Sequence, residues 1–369
     1  MAFSEDDRRW MRQALALAVR APGSTTPNPR VGCILVRDGV AVGTGMHRGA
    51  GQGHAEALAV AAAGEAARGA CVYVTLEPCA HHGRTPPCSD ALIRAGVERV
   101  VAANVDPDPR VNGRGFASLE RSGIRVEYGL LEREALRINE GFFLHHASAR
   151  PLVTLKAAIS LDGRLSAAAG VSQWITSAAA RRVAHRLRLD HDAVLVGAGT
   201  VRHDDPRLSV RLTGEEIRRR IVVLSASLNI DPAARIFSAG DPESVLVYTG
   251  SRSTQEAARS LAKHATVVRV GEAEDGLNLD DILTDLGRRG VYSVLVEGGG
   301  VTLARFLARG VAQRAALFQA PLTLGAGGAT PMLDGLAVTS PAAGAHLERE
   351  GVFAVGTDQW TVGRWRGVE

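Results

Sequence analysis

The tripeptide His54-Ala55-Glu56, followed by Pro78-Cys79 and then by Cys88, constrains this chain more than any other feature. It supplies three metal ligands and one carboxylate outside the ligand set, so the fold must bring a histidine and two distant cysteines to one point. Zinc takes neutral imidazole and thiolate in tetrahedral geometry, and a catalytic site keeps the fourth position open to water. A structural zinc would ask for a fourth Cys or His ligand where Glu56 stands.

Water in such an open position loses a proton near neutral pH and can attack an amidine-like ring carbon carrying an exocyclic amine. Glu56, two residues after the ligand histidine at the start of a predicted helix, suits general acid/base work beside that water. Cys88-Ser89-Asp90 opens the apolar run Ala91, Leu92, Ile93 that ends at Gly96, and Pro78 precedes Cys79 in the manner of a helix first turn. A thiolate at a helix N-terminus is stabilised by the dipole and by free backbone N–H groups. Cys33 and Cys71 lie in apolar strand-like runs and read as packed core residues. His54, Cys79, Cys88 and Glu56 together give the outline of a zinc deaminase.

A chain of 369 residues can hold two domains with separate cores. No apolar run reaches membrane-spanning length, and the charged segment from Met1 to Trp10 lacks a following apolar signal region. Four cysteines, two of them in the metal motif, fit a reducing compartment, so a cytoplasmic location is expected. The net charge of +4 comes with no consecutive basic block longer than the triplet Arg218–Arg220, and four Trp, four Tyr and eight Phe are dispersed. That argues against a nucleic-acid groove with stacking aromatics and suits a phosphorylated small molecule. No nucleic-acid or membrane partner is expected. The only lysines are Lys156 and Lys263, and Lys156 is conspicuous inside the apolar run 152–159.

Ser4 with Asp7 reads as a capping box for a helix to about Val19. Strands over 31–36 and 40–45 flank Asp38-Gly39, a two-residue hairpin signal. A helix over 54–63, a strand over 71–76, a helix over 88–95 and a strand over 97–102 continue an alternating α/β layer, and a charged helix covers 131–138. The domain boundary falls at Arg150-Pro151, giving domains 1–149 and 150–369. Beyond it, strands near 152–158, 193–196, 221–224, 245–248, 266–270, 293–296 and 315–318 alternate with helices such as 178–187 and 302–308. This predicts a mainly parallel sheet covered on both faces.

Two glycine turns follow strands in this second half, Gly197-Ala198-Gly199-Thr200 and Glu297-Gly298-Gly299-Gly300. Backbone N–H groups at such a helix start can face a phosphate, although a glycine turn that only lets strand and helix pack closely has the same appearance. Neither matches the spaced dinucleotide fingerprint. Lys156 and Glu297 read either as an edge residue and a helix-terminal charge or as groups that meet substrate oxygens, with Arg188 and Arg211 neutralising a phosphate.

At this point the residues add up to a family resemblance. Thr26-Pro27-Asn28-Pro29-Arg30-Val31-Gly32-Cys33, His54-Ala55-Glu56 and the segment from Pro78-Cys79 through Gly83-Arg84-Thr85-Pro86-Pro87 to Cys88 resemble the deaminase half of the RibD family of bifunctional riboflavin biosynthesis proteins. The long gap between the cysteines differs from the Cys-x-x-Cys of cytidine and tRNA adenosine deaminases. Lys156, Ser160-Leu161-Asp162-Gly163-Arg164, Trp174-Ile175-Thr176, Asp204-Asp205-Pro206-Arg207-Leu208 and both glycine turns resemble the matching reductase.

The resemblance implies an N-terminal cytidine-deaminase-like three-layer α/β domain and a C-terminal dihydrofolate-reductase-like α/β domain. It further implies zinc-dependent hydrolytic deamination of a phosphorylated diaminopyrimidinone, followed by NADPH reduction of its ribosyl group to ribityl. Carried over by residue, His54, Cys79 and Cys88 hold one Zn2+, Glu56 shuttles protons, and Asn28, His81 and Arg84 line the pyrimidine and phosphate pocket. Ala158, Trp174, Thr200, Asp204 and the run Gly299, Gly300, Val301, Thr302, Leu303, Ala304, Arg305 resemble NADP contacts. Ser172, Arg188, Leu208, Arg211 and Glu297 resemble substrate contacts, with Lys156 and Glu297 catalytic. Gln313-Arg314 departs from an expected acidic pair, and Thr323 from a frequently basic position. A homo-oligomer, dimer or tetramer, is the expected assembly. Rival readings are a deaminase acting alone on another nucleotide or a nucleic-acid base, and a non-catalytic zinc and nucleotide-binding module.

Overall fold

A computed structural model describes residues 3–366 apart from 22, 24, 82–85, 168–173, 213–215, 239 and 328. Arg84 and Ser172 lie outside the described residues. The chain divides into two compact units, Met1–Ala149 and Arg150–Glu369.

The first unit opens with α1 (Glu5–Val19), whose Ser4 and Asp7 form a reciprocal capping box. The hairpin β1 (Gly32–Arg37) and β2 (Val40–Met46) turns at Asp38 and Gly39, both at positive φ as a tight two-residue turn requires. There follow α2 (Ala55–Ala63), β3 (Cys71–Val74), α3 (Cys88–Ala95), β4 (Arg99–Ala102), α4 (Arg114–Arg121), β5 (Arg125–Tyr128), α5 (Glu132–Ile138) and α6 (Glu140–Ser148). The sheet order is β2-β1-β3-β4-β5, with β1 antiparallel to both neighbours and β3, β4 and β5 parallel.

Both faces of this sheet are covered, which is why its strands read as unbroken apolar runs rather than alternating ones. Cys33, Leu35, Val72, Val74 and Val100 pack with α2, α3 and α4 on one face, while Ile34, Val36, Tyr73 and Val101 pack with α1 on the other. Gly43 and Gly45 let α2 lie unusually close to β2, because a Cβ at either would collide with the carbonyl of Ala59 or Ala55. That close approach fixes the N-terminus of α2, where His54 stands.

The second unit contains β6 (Leu152–Ile159), α7 (Ala178–Asp190), β7 (Ala193–Gly197), α8 (Ala198–Asp204), β8 (Val210–Arg211), β9 (Glu216–Ile217), β10 (Arg220–Leu224), β11 (Val245–Thr249), α9 (Gln255–Leu261), β12 (Thr266–Arg269), β13 (Glu272–Ala273), β14 (Gly276–Leu277), α10 (Leu279–Arg288), β15 (Ser293–Val296), α11 (Gly300–Ala308), β16 (Arg314–Gln319), β17 (His346–Val355) and β18 (Asp358–Arg366). Its nine-stranded sheet runs β12-β11-β10-β7-β15-β6-β16-β18-β17. The first seven strands are parallel, and the β17–β18 hairpin adds antiparallel to β16. Leu155, Leu195, Val222 and Val294 face α10 and α11, whereas Val194, Val196, Val223 and Val247 face α8 and α9.

The expected parallel sheet is present. The C-terminal hairpin was not foreseen, because its first strand is mostly exposed and a register shift between Arg349 and Gly351 breaks its alternation. Gln313 and Arg314, the departures from the family pattern, lie at the N-terminal end of β16. Gln313 accepts from the N–H of Val153 at 2.9 Å there, and Arg314 donates to Glu350 at 3.0 Å.

Candidate active sites

In the first unit three helix and loop ends meet. His54 is the N-cap of α2, with extended backbone, and Cys88 is the first residue of α3. Cys79 lies in the loop after β3, where its carbonyl accepts from Ser89 N–H at 3.1 Å and its sulfur from Cys88 N–H at 3.4 Å. The Nδ1 of His54 stands 3.2 Å from Cys88 Sγ and 3.6 Å from Cys79 Sγ, and all three donor atoms lie within 4.8 Å of one another. A tetrahedral zinc with ordinary bond lengths needs N···S separations of about 3.5 Å, so this nitrogen and two sulfurs fit that ion.

Without a cation the two sulfurs share one proton. A hydrogen bond from Cys88 holds Cys79 down to about 4, and the same bond together with burial pushes Cys88 far up. A metal must displace that proton. Glu56, in the first turn of α2, is 4 % exposed and outside the donor set. Burial and the neighbouring Cys79 charge push its carboxyl up to about 7, within the range where a carboxyl both takes and gives protons near neutral pH.

Asn28 reaches this site through His47, a residue the sequence reading missed. Its Nδ2 donates to His47 Nε2 at 3.0 Å, while Nδ1 of His47 donates to the Gly53 carbonyl at 3.2 Å. The His47 ring stands edge-on to that of His54 with 5.4 Å between centroids. His81, two residues beyond Cys79, has a buried Nδ1 with no hydrogen-bond partner among the described residues.

In the second unit the chemistry gathers at the C-terminal ends of the parallel strands, where open α/β sheets take their ligands. Val296 pairs with both Leu155 and Leu195, so Glu297 emerges beside Lys156 on β6 and next to the turn after β7. Lys156 therefore sits on an interior strand, not an edge. Its Nζ is 3.4 Å from Glu297 Oε2. Arg188 grips the same carboxylate with two nitrogens, at 2.6 and 2.9 Å, and its third donates to the Ser209 carbonyl at 3.1 Å. Burial alone would raise Glu297, but the charges of Arg188 and Lys156 outweigh it and hold the carboxyl down to about 2.

The two glycine turns lie against each other. A Cβ on Gly197 would press on Thr302 Oγ1, and one on Gly299 would come within 3.9 Å of Thr200 Oγ1. Gly299 caps α11 without a side-chain bond, leaving backbone N–H groups of the first turn free for an anion.

The RibD C-terminal domain model matches residues 151–360, and the cytidine and deoxycytidylate deaminase zinc-binding region matches residues 4–104. The riboflavin biosynthesis protein RibD of Aquifex aeolicus is 42% identical over 88% of this chain and 89% of its own. The chain belongs to the RibD family. Among solved structures, RibD of Acinetobacter baumannii superposes with a TM-score of 0.89 at 36% identity, covering 98% of this chain and 99% of that one. A Thermotoga maritima structure described as a diaminohydroxyphosphoribosylaminopyrimidine deaminase/5-amino-6-(5-phosphoribosylamino)uracil reductase gives a TM-score of 0.85 at 32% identity, with coverage of 98% and 99%. The RibD family comprises the bifunctional deaminase–reductases of riboflavin biosynthesis, and the two units accordingly have the cytidine-deaminase-like and dihydrofolate-reductase-like folds.

Within the RibD frame the remaining residues are spread unevenly. Ala158 lies on β6 and Asp204 ends α8, exposed. Trp174 is 77 % exposed beneath the Arg181 guanidinium, which lies 4.7 Å over its ring. Leu208 is buried in the core, and Arg211 is exposed on β8. Of the run after Gly299, only its start faces outward: Val301 is 56 % exposed, while Leu303 and Ala304 are buried. Arg305 turns to the β13–β14 hairpin, donating to the Leu277 carbonyl at 2.7 Å and to Asp275 at 3.3 Å.

Sequence reasoning also missed Ser225, just after β10, whose buried hydroxyl beside the turn after β7 has no partner among the described residues. It missed Glu77 as well, next to Pro78-Cys79, whose carboxylate accepts from the backbone N–H groups of Asp106, Gly113 and Gly115 at 3.1, 2.9 and 2.9 Å. Adjacency to the metal motif was the available signal for Glu77. Ser225 offered only its place after an apolar run.

Proposed function

We propose that the Met1–Ala149 unit hydrolytically deaminates 2,5-diamino-6-(5-phosphoribosylamino)pyrimidin-4(3H)-one and that the Arg150–Glu369 unit then reduces 5-amino-6-(5-phosphoribosylamino)uracil to its ribitylamino product with NADPH. The observation that carries this reading is a three-donor metal cluster with a buried carboxylate held outside it, in a chain that aligns along nearly its whole length with RibD proteins.

In the first unit His54, Cys79 and Cys88 would hold the zinc, which supplies Lewis acidity and lowers the pKa of a water in its open position. Glu56 takes a proton from the attacking water and returns protons to the ring and to the departing amine, which leaves as ammonia. Asn28, fixed by His47, holds the pyrimidine edge, with His81 and Arg84 beside it. In the second unit a bound NADPH would supply the hydride for reduction of the sugar. Lys156 delivers the accompanying proton, and Glu297 orients a ribosyl hydroxyl between Lys156 and Arg188. Thr200, Asp204, Trp174, Ala158 and the first turn after Gly299 hold the dinucleotide, with Ser172, Leu208 and Arg211 on the substrate side.

The substrate is a small molecule, and the dispersed aromatics support one over a nucleic-acid base. Among the described residues no helix is long and apolar enough to cross a membrane, and the four cysteines are free, which supports a cytoplasmic enzyme. A homo-oligomer, dimer or tetramer, is the proposed assembly. Glu56→Gln tests the first step: bound zinc stays at one per chain while deamination falls by roughly 10²- to 10⁴-fold. Full deaminase turnover in that variant would make the zinc structural and overturn the reading.

A further inference from the structure

Trp174 is the most exposed large apolar side chain among the described residues. The segment it opens, Trp174-Ile175-Thr176, has no helix or strand of its own. An indole on such a segment samples several rotamers unless something fixes it. Here the Arg181 guanidinium lies 4.7 Å over the ring and is itself anchored, donating from Nη1 to the Thr176 carbonyl at 2.6 Å. Arg181 and Arg188 are seven residues apart and so share one face of α7, and Arg188 closes on Glu297. The ring therefore lies on the Glu297 side of that helix, with one face under a cation and the other open to a ligand.

The chain below Trp174 is held by the C-terminal hairpin. Because β18 is antiparallel to β16 and β16 parallel to β6, the turn between β17 and β18 lies at the C-terminal ends of β6 and β16, where Gln319 pairs with both Ile159 and Gln359. That turn is seated on the start of α7. Ser177 donates its backbone N–H to Asp358 Oδ2 at 2.7 Å and its hydroxyl to the Val355 carbonyl at 3.4 Å. Gly356, at φ +65°, passes so close that a Cβ would stand 3.0 Å from Ser177 Oγ and from the Ala179 Cβ. Asp358 is 4 % exposed. The helix already has a side-chain cap in Ser177, whose Oγ accepts from Ala180 N–H at 3.3 Å, so the buried carboxylate is not needed to start α7. What it fixes is the direction in which the chain enters the helix from Trp174.

We propose that Asp358 and Arg181 are positioning residues of the reductase: Asp358 locks the chain at Ser177, Arg181 holds the Trp174 indole, and together they present its open face to NADPH before the cofactor arrives. This rests on the reductase reading above, in which Trp174 meets the dinucleotide, and it gives a part in that reading to the C-terminal hairpin, which holds none of the catalytic or binding residues named so far.

The test uses the full-length protein and NADPH, with affinity measured by titration calorimetry for wild type, Asp358→Ala, Asp358→Asn, Arg181→Gln, Arg181→Lys and Trp174→Ala. Without its brace the indole has to be ordered by the cofactor, so NADPH binds about tenfold more weakly in Asp358→Ala and in Arg181→Gln. In turnover the same two variants raise KM for NADPH and keep kcat at saturating cofactor. Asn keeps the acceptor for Ser177 and Lys keeps the cation, so each recovers part of the loss. In a Trp174→Ala background neither change weakens NADPH further, because no indole is left to position, whereas a general loosening of the fold would add in both backgrounds. Arg181→Gln, at a half-buried position, carries the comparison should Asp358→Ala fail to fold. Wild-type NADPH affinity in Arg181→Gln and Asp358→Ala, or losses that persist undiminished without Trp174, overturn the inference while Trp174→Ala alone still weakens the cofactor. A wild type that binds no NADPH overturns the reductase reading and this inference with it.

Discussion

Glu297 shows how much one side chain can bind together: it is buried between two cations, and its charge is what makes their burial tolerable. Replacing it by Gln leaves Arg188 and Lys156 without their anion, and we expect the second unit to lose about 3–5 kcal/mol, read by denaturant titration. Acid should act the same way. A carboxyl held down to about 2 contributes stability that is present above its ordinary value of 4.5 and is lost as the pH falls towards 2.

His191 adds an earlier step. Its Nδ1 donates to the Leu187 carbonyl at 2.7 Å and its Nε2 accepts from Thr154 at 2.9 Å, so the ring is held neutral and burial lowers its pKa. The unfolded chain then binds a proton first, and stability falls as the pH drops through about 6.5. His191→Gln should flatten the thermal-melting profile between pH 7 and 5 while the Glu297 step below it remains. An unchanged profile would mean that another group titrates there.

Residue identity was the most legible level of the sequence. The ligand trio and Glu56 could be named because zinc chemistry dictates their types and spacing. His47 could not, since its value lies in a hydrogen bond to Asn28 across nineteen positions that no local pattern encodes.

At the scale of elements, the metal loop is held from behind. Glu77 ties the start of that loop to the N-terminus of α4, and Gly115 passes so close that a Cβ would collide with the Pro78 carbonyl and lie 3.2 Å from Glu77 Oε1. Gly115→Ala should therefore displace Cys79. We expect zinc to be stripped by a chelator at least tenfold faster in that variant, a tenfold effect being about 1.4 kcal/mol, with NADPH oxidation on deaminated substrate unaltered. Zinc release at the wild-type rate would show that the loop yields without moving its ligand.

A second brace comes from Asn139, which both accepts from the N–H of Arg30 and donates to its carbonyl, at 2.8 Å each. It fixes the Asn28 loop from the far end of the unit. The helix start at Ser4 and the hairpin at Asp38-Gly39 were readable because caps and tight turns are local chemistry. These braces, and the β17–β18 hairpin, were not, because they depend on partners distant in sequence.

At the scale of the whole molecule, two units carry two chemistries with separate requirements. Chelation of zinc should abolish deamination and leave reduction of supplied deaminated substrate intact, checked by following ammonia release and NADPH absorbance in parallel. Parallel loss of both would mean that the metal supports the whole chain's fold and not one step.

The most direct test of the central claim is mass spectrometry of the products formed from the diaminopyrimidinone ribosylamine phosphate by zinc-loaded protein, with and without NADPH. Deamination alone in its absence, and deamination plus two added hydrogens in its presence, is the predicted result. Unchanged substrate in both samples would contradict the account, and deamination without reduction would confine it to the unit that ends at Ala149.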